Sequence, residues 1–232
     1  MNIKFFKIIK FFFGITILLI YSCQNNNYNT IINLPDGFVS TVYVDSIAES
    51  VRHMAVKKNG DLYVKFRRQS DDGILAAVRD NNHDGYADSI VKFGQYHNPQ
   101  RGSYSTGSRI HKGYLYYSSQ LTVYRVKLDD KNLVPSSKPE IVVIDDHEHG
   151  SHEHIAKPIA FDDEGFIYVP FGSPNNACQD PKRTPLIPGR DPWPDLLRHG
   201  GIWKFKADKL NQTQKDGQLF ATGLRSIVAM DW

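Results

Sequence analysis

The sequence is poor in cysteine, in long apolar runs and in clustered basic residues. Only Cys23 and Cys178 occur in 232 residues, so a disulfide-rich scaffold is excluded. The N-terminal apolar run, residues 11–21, has eleven residues, whereas a membrane-spanning helix needs about 20. No basic block interleaved with aromatic residues suggests a nucleic-acid partner. Long amphipathic helical patterns are also missing, whereas tyrosine and phenylalanine, which favour strands, are abundant.

The N-terminal segment has the pattern of a secretion signal. It contains three lysines and no acid before Cys23, and a short apolar run follows the lysines. The run ends in Ser22-Cys23, which resembles the lipobox of bacterial lipoproteins. We therefore expect residues 1–22 to be a lipoprotein signal peptide, Cys23 to be lipidated and residues 23–33 to form a polar tether. An ordinary signal peptide with a chance cysteine is the alternative.

Removal of this signal changes the charge of the chain. The formal net charge is +3 with the signal, and the remainder has 25 basic and 25 acidic residues. The positive charge is therefore a property of the signal. Cys178 is then the only remaining thiol, so it has no partner for a disulfide within the chain. These features predict a protein of the bacterial cell envelope that faces the periplasm and is held at the membrane by its lipid alone.

Three segments share a turn motif at a nearly constant spacing. Gly60-Asp61-Leu62-Tyr63, Gly113-Tyr114-Leu115-Tyr116 and Gly165-Phe166-Ile167-Tyr168 each join two apolar runs, and their glycines lie 53 and 52 residues apart. Glycine accepts a positive φ at little cost, so each unit is predicted to be a strand, a tight turn and a strand. Short strands that repeat every fifty residues or so are typical of a β-propeller.

The repeat also predicts how much of a propeller is present. At this period residues 34–232 correspond to about four blades. Residues 224–232 look like the first strand of a further blade, and residues 217–220 are interpreted as an ordinary turn. Because a chain that stops within a blade leaves strand edges unpaired, we expect a C-terminally truncated part of a larger propeller. A small complete four-bladed protein is the alternative.

Four stretches carry a resemblance to a known family: residues 34–64, 78–94, 154–178 and 199–232. They resemble the glucose/sorbosone dehydrogenase family, sugar dehydrogenases that depend on pyrroloquinoline quinone (PQQ) and fold as six-bladed β-propellers. The resemblance implies an all-β fold, the cofactors PQQ and calcium, and oxidation of an aldose or related sugar at C1. It leaves open the sugar and the electron acceptor, a quinone or a cytochrome.

The same resemblance implies three site residues. In HIAKPIAFDDEGFIYVPFG, His154 stands seven residues before Phe161, as does the family's general base. An imidazole can accept a proton from a sugar hydroxyl at neutral pH. Gly223-Leu224-Arg225-Ser226 corresponds to the family's Gly-x-Arg-Asn, which implies that Arg225 and Ser226 contact the quinone. Ser226 departs from the pattern because its hydroxyl replaces a longer amide.

An aspartate-rich segment predicts a calcium loop or a simple turn. Asp80, Asn82, Asp84 and Asp88 stand at the first, third, fifth and ninth positions around a glycine, a spacing that resembles a calcium loop. The twelfth position, where such a loop has glutamate, is Val91. A hairpin turn held by aspartate and asparagine side chains explains the same residues.

Two further segments have alternative interpretations. His147, His149 and His152 lie in an acidic loop that predicts either a zinc site or a solvated loop. Residues 182–201 form a proline-rich loop that could contact a sugar or a partner, or simply pack; its candidates are Arg183, Arg190, Trp193 and Arg198. The alternative function is accordingly a non-catalytic propeller lipoprotein that binds a glycan or a protein.

Overall fold

The computed structural model describes residues 32–47, 50–95, 107–147 and 154–232. The chain divides into two compact units after Val42, and the second unit holds every strand of the described residues. The first sheet contains, in spatial order, β1 (Val51–Val56), β2 (Leu62–Ser70), β3 (Gly73–Arg79) and β4 (Ser89–Phe93).

The second and third sheets follow the same antiparallel meander. The second contains β5 (Ser108–His111), β6 (Tyr114–Ser118), β7 (Thr122–Lys127) and β8 (Glu140–Ile144). The third contains β9 (Ala160–Phe161), β10 (Phe166–Phe171), β11 (Gly201–Lys206) and β13 (Gln218–Thr222). The short strand β12 (Gln212–Thr213) leaves the third sheet and pairs in parallel with β8. Two 3-10 helices, Pro194–Leu197 and Gln214–Asp216, complete the regular structure of the described ranges. The fold is all-β, and its sheets are blades of a β-propeller, as predicted.

The three predicted turns are confirmed. Gly60, Gly113 and Gly165 have φ values of 94°, 80° and 92°. They join β1 to β2, β5 to β6 and β9 to β10, the first two strands of each blade. A side chain with a Cβ disfavours this left-handed region, which explains why glycine recurs there.

The described residues form three blades, whereas the repeat period predicts about four for residues 34–232. Residues 217–220, interpreted from the sequence as an ordinary turn, include the start of β13 (Gln218–Thr222), the outermost strand of the third blade, which pairs with β11. Residues 224–232 form no strand. They run beside the first strands instead, since Arg109 on β5 donates to the carbonyl oxygen of Met230 at 2.7 Å. Counting by period overestimated the blades because residues 32–47 and 224–232 add length without adding a sheet.

The hydrophobic core lies between successive blades. Leu115 and Tyr117 of β6 pack with Ile74 and Leu75 of the first blade, whereas Tyr116 of the same strand packs against the third. Successive side chains of a strand point to opposite faces, so one strand contributes to both cores. Each large apolar side chain buried in this way stabilises the fold by about 1.5–3 kcal/mol.

The strand ends define two opposite edges of the blades. The histidine edge contains residues 118–122, 144–147, 154–158, 172–173 and 223–225. The turn edge contains residues 57–61, 80–88, 111–113, 128–139 and 162–165. The first and second blades contact each other at the turn edge, where Lys57 Nζ donates to the carbonyl oxygen of Asp129 at 2.7 Å. None of the helical segments in the described part of the chain has the length and apolar character needed to cross a membrane.

Candidate functional site

His154 lies on the histidine edge, in the segment that leads from the second blade into β9. Its Nδ1 is 2.8 Å from the carbonyl oxygen of Ser173, just beyond β10. A carbonyl oxygen only accepts hydrogen bonds, so Nδ1 carries the proton and Nε2 keeps its lone pair. The half-buried ring is thus held in the tautomer that can accept a proton at Nε2.

Gly172 allows this position of His154. A Cβ built on Gly172 would lie 2.0 Å from the carbonyl oxygen of His154 and 2.9 Å from its Cβ. Those separations are far below van der Waals contact, so any other residue at position 172 would displace the histidine. Sequence reasoning missed this requirement, because a glycine after a strand has many ordinary explanations.

Arg225 and Ser226 reach the same edge through the backbone of Ser173. The amide of Ser173 donates to the carbonyl oxygen of Arg225 at 2.9 Å, while its carbonyl holds His154. One residue therefore links the predicted base to the predicted quinone-binding segment. The side chains of Arg225 and Ser226 are exposed. The structure thus links the backbone of Arg225 to His154 through one residue, and Ser226 follows Arg225 in the chain; the chemical roles of all three stay predictions.

A buried ion pair supports the segment that carries His154. Lys157 Nζ lies 2.7 Å from Asp145 Oδ2, and both side chains are almost fully buried. The same ammonium group donates to the carbonyl oxygen of Pro170 and lies 4.4 Å from the centre of the Phe171 ring. Ser118 Oγ donates to the carbonyl oxygen of Lys157 at 2.7 Å. Nothing in the sequence indicated this pair, because its residues come from different blades.

His147 belongs to the same buried layer. Its Nε2 lies 2.6 Å from Gln214 Oε1, and its Nδ1 lies 3.1 Å from Asp145 Oδ1. The ring centre of His199 is 4.5 Å away. The solvated-loop interpretation is therefore wrong for His147, because these contacts bury it. His149 and His152 lie outside the described residues. Within the described ranges, no group of three histidine, cysteine or acidic side chains could hold a metal ion.

A small cavity lies beneath His154. It is lined by His154, Asp145, Lys157, His199 and Gln120, among others, and has a volume of about 10 Å³. That space holds about one water molecule. A ligand as large as a sugar or a quinone would therefore lie over the exposed histidine edge, not inside this cavity.

The aspartate-rich loop lies on the turn edge, at the opposite end of the strands. Asp80 accepts hydrogen bonds from the amides of His83 at 2.6 Å and Gly85 at 2.9 Å. Asp88 accepts from the amide of Asn81 at 2.6 Å, and Asn82 Nδ2 donates to Asp84 at 3.1 Å.

These hydrogen bonds, from backbone and asparagine amides to aspartate side chains within the loop, are those expected of the predicted hairpin turn. Partial burial raises the pKa of the Asp80 carboxyl, but the amides of Gly85 and His83 outweigh it and hold the pKa below its usual value. Calcium binding by Asp80, Asn82, Asp84 and Asp88 stays a prediction.

The proline-rich loop joins the site through one arginine. Arg198 Nε donates to Gln214 Oε1 at 3.1 Å, so it contacts the amide that also binds His147. Arg190 pairs with Asp180 on the exposed side of the loop, and its guanidinium lies 5.8 Å from the centre of the Trp193 ring. Cys178 is a free, half-buried thiol.

Comparison with known proteins relates the chain to others by fold. No family model matches the sequence, and no curated protein matches it. The PQQ domain of pyranose dehydrogenase from Coprinopsis cinerea, in its holo form, aligns with a TM-score of 0.52 and 16% identity, over 73% of this chain and 37% of that one. A calcium structure of a Trichoderma reesei carbohydrate-active enzyme of family AA12 aligns with a TM-score of 0.51 and 14% identity, over 73% of this chain and 40% of that one.

The similarity covers only part of each solved structure. The chain spans less than half of the length of either solved structure. Identities this low show the fold alone, which is the fold of PQQ-type propeller domains. The glucose/sorbosone dehydrogenase resemblance is thus supported at the level of the fold.

Proposed function

We propose that this chain takes part in PQQ-dependent oxidation of an aldose or related sugar at C1. The observation that carries the proposal is the backbone of Ser173, whose carbonyl oxygen binds the ring of His154 and whose amide binds the carbonyl oxygen of Arg225. The propeller fold, shared with a PQQ domain of a sugar dehydrogenase, supports it.

The residues of the histidine edge fit a bound quinone. Arg225 presents an exposed guanidinium, which can pair with a carboxylate or a quinone oxygen. Ser226 adds an exposed hydroxyl. The acid that lines the cavity, Asp145, is paired with Lys157 and His147. The described residues of this edge therefore do not fit a calcium ion.

His154 acts as the general base. Ser173 fixes its Nδ1–H, and Nε2 accepts the proton of the sugar's anomeric hydroxyl. The chemistry supplied by PQQ, when bound, is acceptance of the hydride from C1. Arg225 orients the anionic cofactor against the histidine edge. Because His154 is only half-buried, the proton can pass from its ring to solvent.

The test adds PQQ to the purified protein and follows quinone absorbance and dye reduction by aldoses. We expect His154→Gln to abolish dye reduction while PQQ still binds, because the variant lacks only the proton acceptor. Arg225→Gln should weaken PQQ binding about tenfold or more, as expected for loss of a charged hydrogen bond. Lys112→Gln, on the turn edge, is the matched control and should change neither.

The outcomes separate the two candidate functions. Absence of PQQ binding would overturn the proposal, and so would full activity in His154→Gln. Binding of a sugar without turnover would favour the non-catalytic alternative.

We also infer lipid anchoring at Cys23, outside the described residues. Metabolic labelling with palmitate should mark the protein in a bacterial host, and Cys23→Ala should remove the label and release the protein from the membrane fraction. Membrane association that survives Cys23→Ala would contradict the inference.

A further inference from the structure

A second cavity lies beside the first strands of the blades, separate from the one beneath His154. Its volume is about 180 Å³. The polar side chains of its lining, which we call its polar side, are those of His53 on β1 and of Ser108 and Arg109 on β5. The apolar side chains of its lining, which we call its apolar side, include those of Met54, Ile159 and Met230.

Ser108 has an unused hydrogen-bonding group in the wall of this cavity. The residue is only 5% exposed, and its Oγ has no hydrogen-bond partner among the described residues. A buried hydroxyl without a partner is unfavourable by about 1–3 kcal/mol, and such groups are rare in folded proteins. A bound acceptor would remove this penalty.

Cationic groups lie near the polar side of the cavity. Burial lowers the pKa of His53, and the nearby charges of Arg52, Arg109 and Lys65 lower it further. The carboxylate beside Arg109 is that of Asp231, 2.9 Å from Nη2, and its side chain is 83% exposed. Arg109 also donates to the carbonyl oxygen of Met230. A guanidinium has five N–H donors, so Arg109 retains donors for a third acceptor. An anion would complement this side of the cavity.

We propose that the cavity binds a small organic carboxylate. The guanidinium of Arg109 pairs with the carboxylate, the Ser108 hydroxyl and the His53 imidazole donate to it, and the carbon chain packs against Met54 and Ile159. The apolar side selects an organic acid over an inorganic anion, which would leave that side without contacts.

The experiment compares butyrate with butyramide, which has nearly the same shape and no charge. Binding to the purified protein without PQQ is followed by calorimetry and by amide chemical shifts. We expect millimolar butyrate to bind and to shift Ser108 and Arg109, and butyramide to bind at least tenfold more weakly. Arg109→Gln should weaken butyrate binding about tenfold, and Ser108→Ala several-fold. Lys112→Gln is the matched control and should leave the affinity unchanged.

Three results would overturn the proposal: equal affinity for both ligands, unchanged butyrate affinity in Arg109→Gln, or no butyrate binding. If Arg109→Gln does not fold, Ser108→Ala provides the test, because its smaller side chain suits a buried position. Acetate and inorganic phosphate serve as further probes, and tighter binding of phosphate than of butyrate would contradict the organic-acid assignment. Because no PQQ is present, failure here leaves the proposed sugar oxidation untouched.

Discussion

At the scale of single residues, the position of His154 depends on a glycine that touches it. Gly172 has no positive φ, so alanine is acceptable to the backbone there, and the clash with His154 opposes it. We expect Gly172→Ala to destabilise the fold by about 1–3 kcal/mol, as overpacking does, and to displace His154.

The matched control is Gly60→Ala, whose Cβ would meet nothing within 4 Å but whose φ of 94° is unfavourable for alanine. It should also destabilise, by about 1–2 kcal/mol. Thermal unfolding measures both losses, and the imidazole signals of His154 in NMR spectra should change only in Gly172→Ala. An unchanged His154 spectrum in that variant would contradict the packing argument.

Lys65 gives the molecule a pH-dependent stability. Its Nζ donates to the carbonyl oxygens of Phe66 at 2.9 Å and Ile74 at 3.3 Å, and burial lowers its pKa to about 7 from 10.5. The unfolded chain therefore binds more protons between these values, so the free energy of unfolding should rise with pH across that window, by up to about 1.4 kcal/mol per pH unit.

Urea unfolding at several pH values checks this slope. Lys65→Met should flatten it, because the variant has no ammonium group to deprotonate on folding. Lys58→Met, on the exposed β1–β2 turn, should keep the wild-type slope. A slope that persists in Lys65→Met would assign the pH dependence to another group.

At the scale of elements, local turn chemistry was predictable and pairing between elements was not. The glycine-x-aliphatic-tyrosine motif located the first hairpin of each blade, because a tight turn needs a positive φ at a fixed position. Gly217-Gln218-Leu219-Phe220 nearly matches the same motif but lacks a preceding apolar strand, so the sequence favoured a turn where β13 in fact extends the third sheet. The parallel pairing of β12 with β8 links segments far apart in sequence. The roles of His154 and Arg225 were implied by resemblance, whereas the backbone of Ser173, which contacts both residues, has no signature in the sequence.

The side chain of Lys157 ties the segment before β9 to the second blade and to β10. Lys157→Met should leave the Asp145 carboxylate buried without the ammonium group, and breaking a buried pair costs about 3–5 kcal/mol. The combined variant Lys157→Met with Asp145→Asn should lose less, because it buries no carboxylate. Urea unfolding of the two variants measures the difference.

Lys92→Met is the control for this comparison, since Lys92 pairs with Asp72 on the surface at 3.4 Å. Exposed pairs contribute little, so this variant should unfold like the wild type. Equal losses for Lys157→Met and Lys92→Met would mean that the buried pair does not support the segment.

At the scale of the whole molecule, the number of strands in a blade decides which residues can act together. His154 precedes the first strand of the third blade and Arg225 follows the last. Four antiparallel strands return the chain to the edge from which it started, so both residues lie on the histidine edge. The loop of Asp80 to Asp88 follows only three strands of its blade and must lie on the turn edge. The placement of these two sites at opposite edges therefore follows from the four-stranded antiparallel meander alone.

This separation predicts that calcium at the aspartate-rich loop and quinone chemistry at His154 are independent. Asp80→Asn and Asp84→Asn should each remove any stabilisation that calcium gives to thermal unfolding, because the loop would lose an anionic ligand. Neither variant should change quinone absorbance or dye reduction, since the opposite edge holds His154 and Arg225. Lys58→Met, on the same edge outside the loop, should keep the calcium response. Loss of PQQ binding in Asp80→Asn with the fold intact would contradict this independence. It would require the two edges to be coupled through the strands, although the hydrogen bonds of Asp80 and of His154 share no residue.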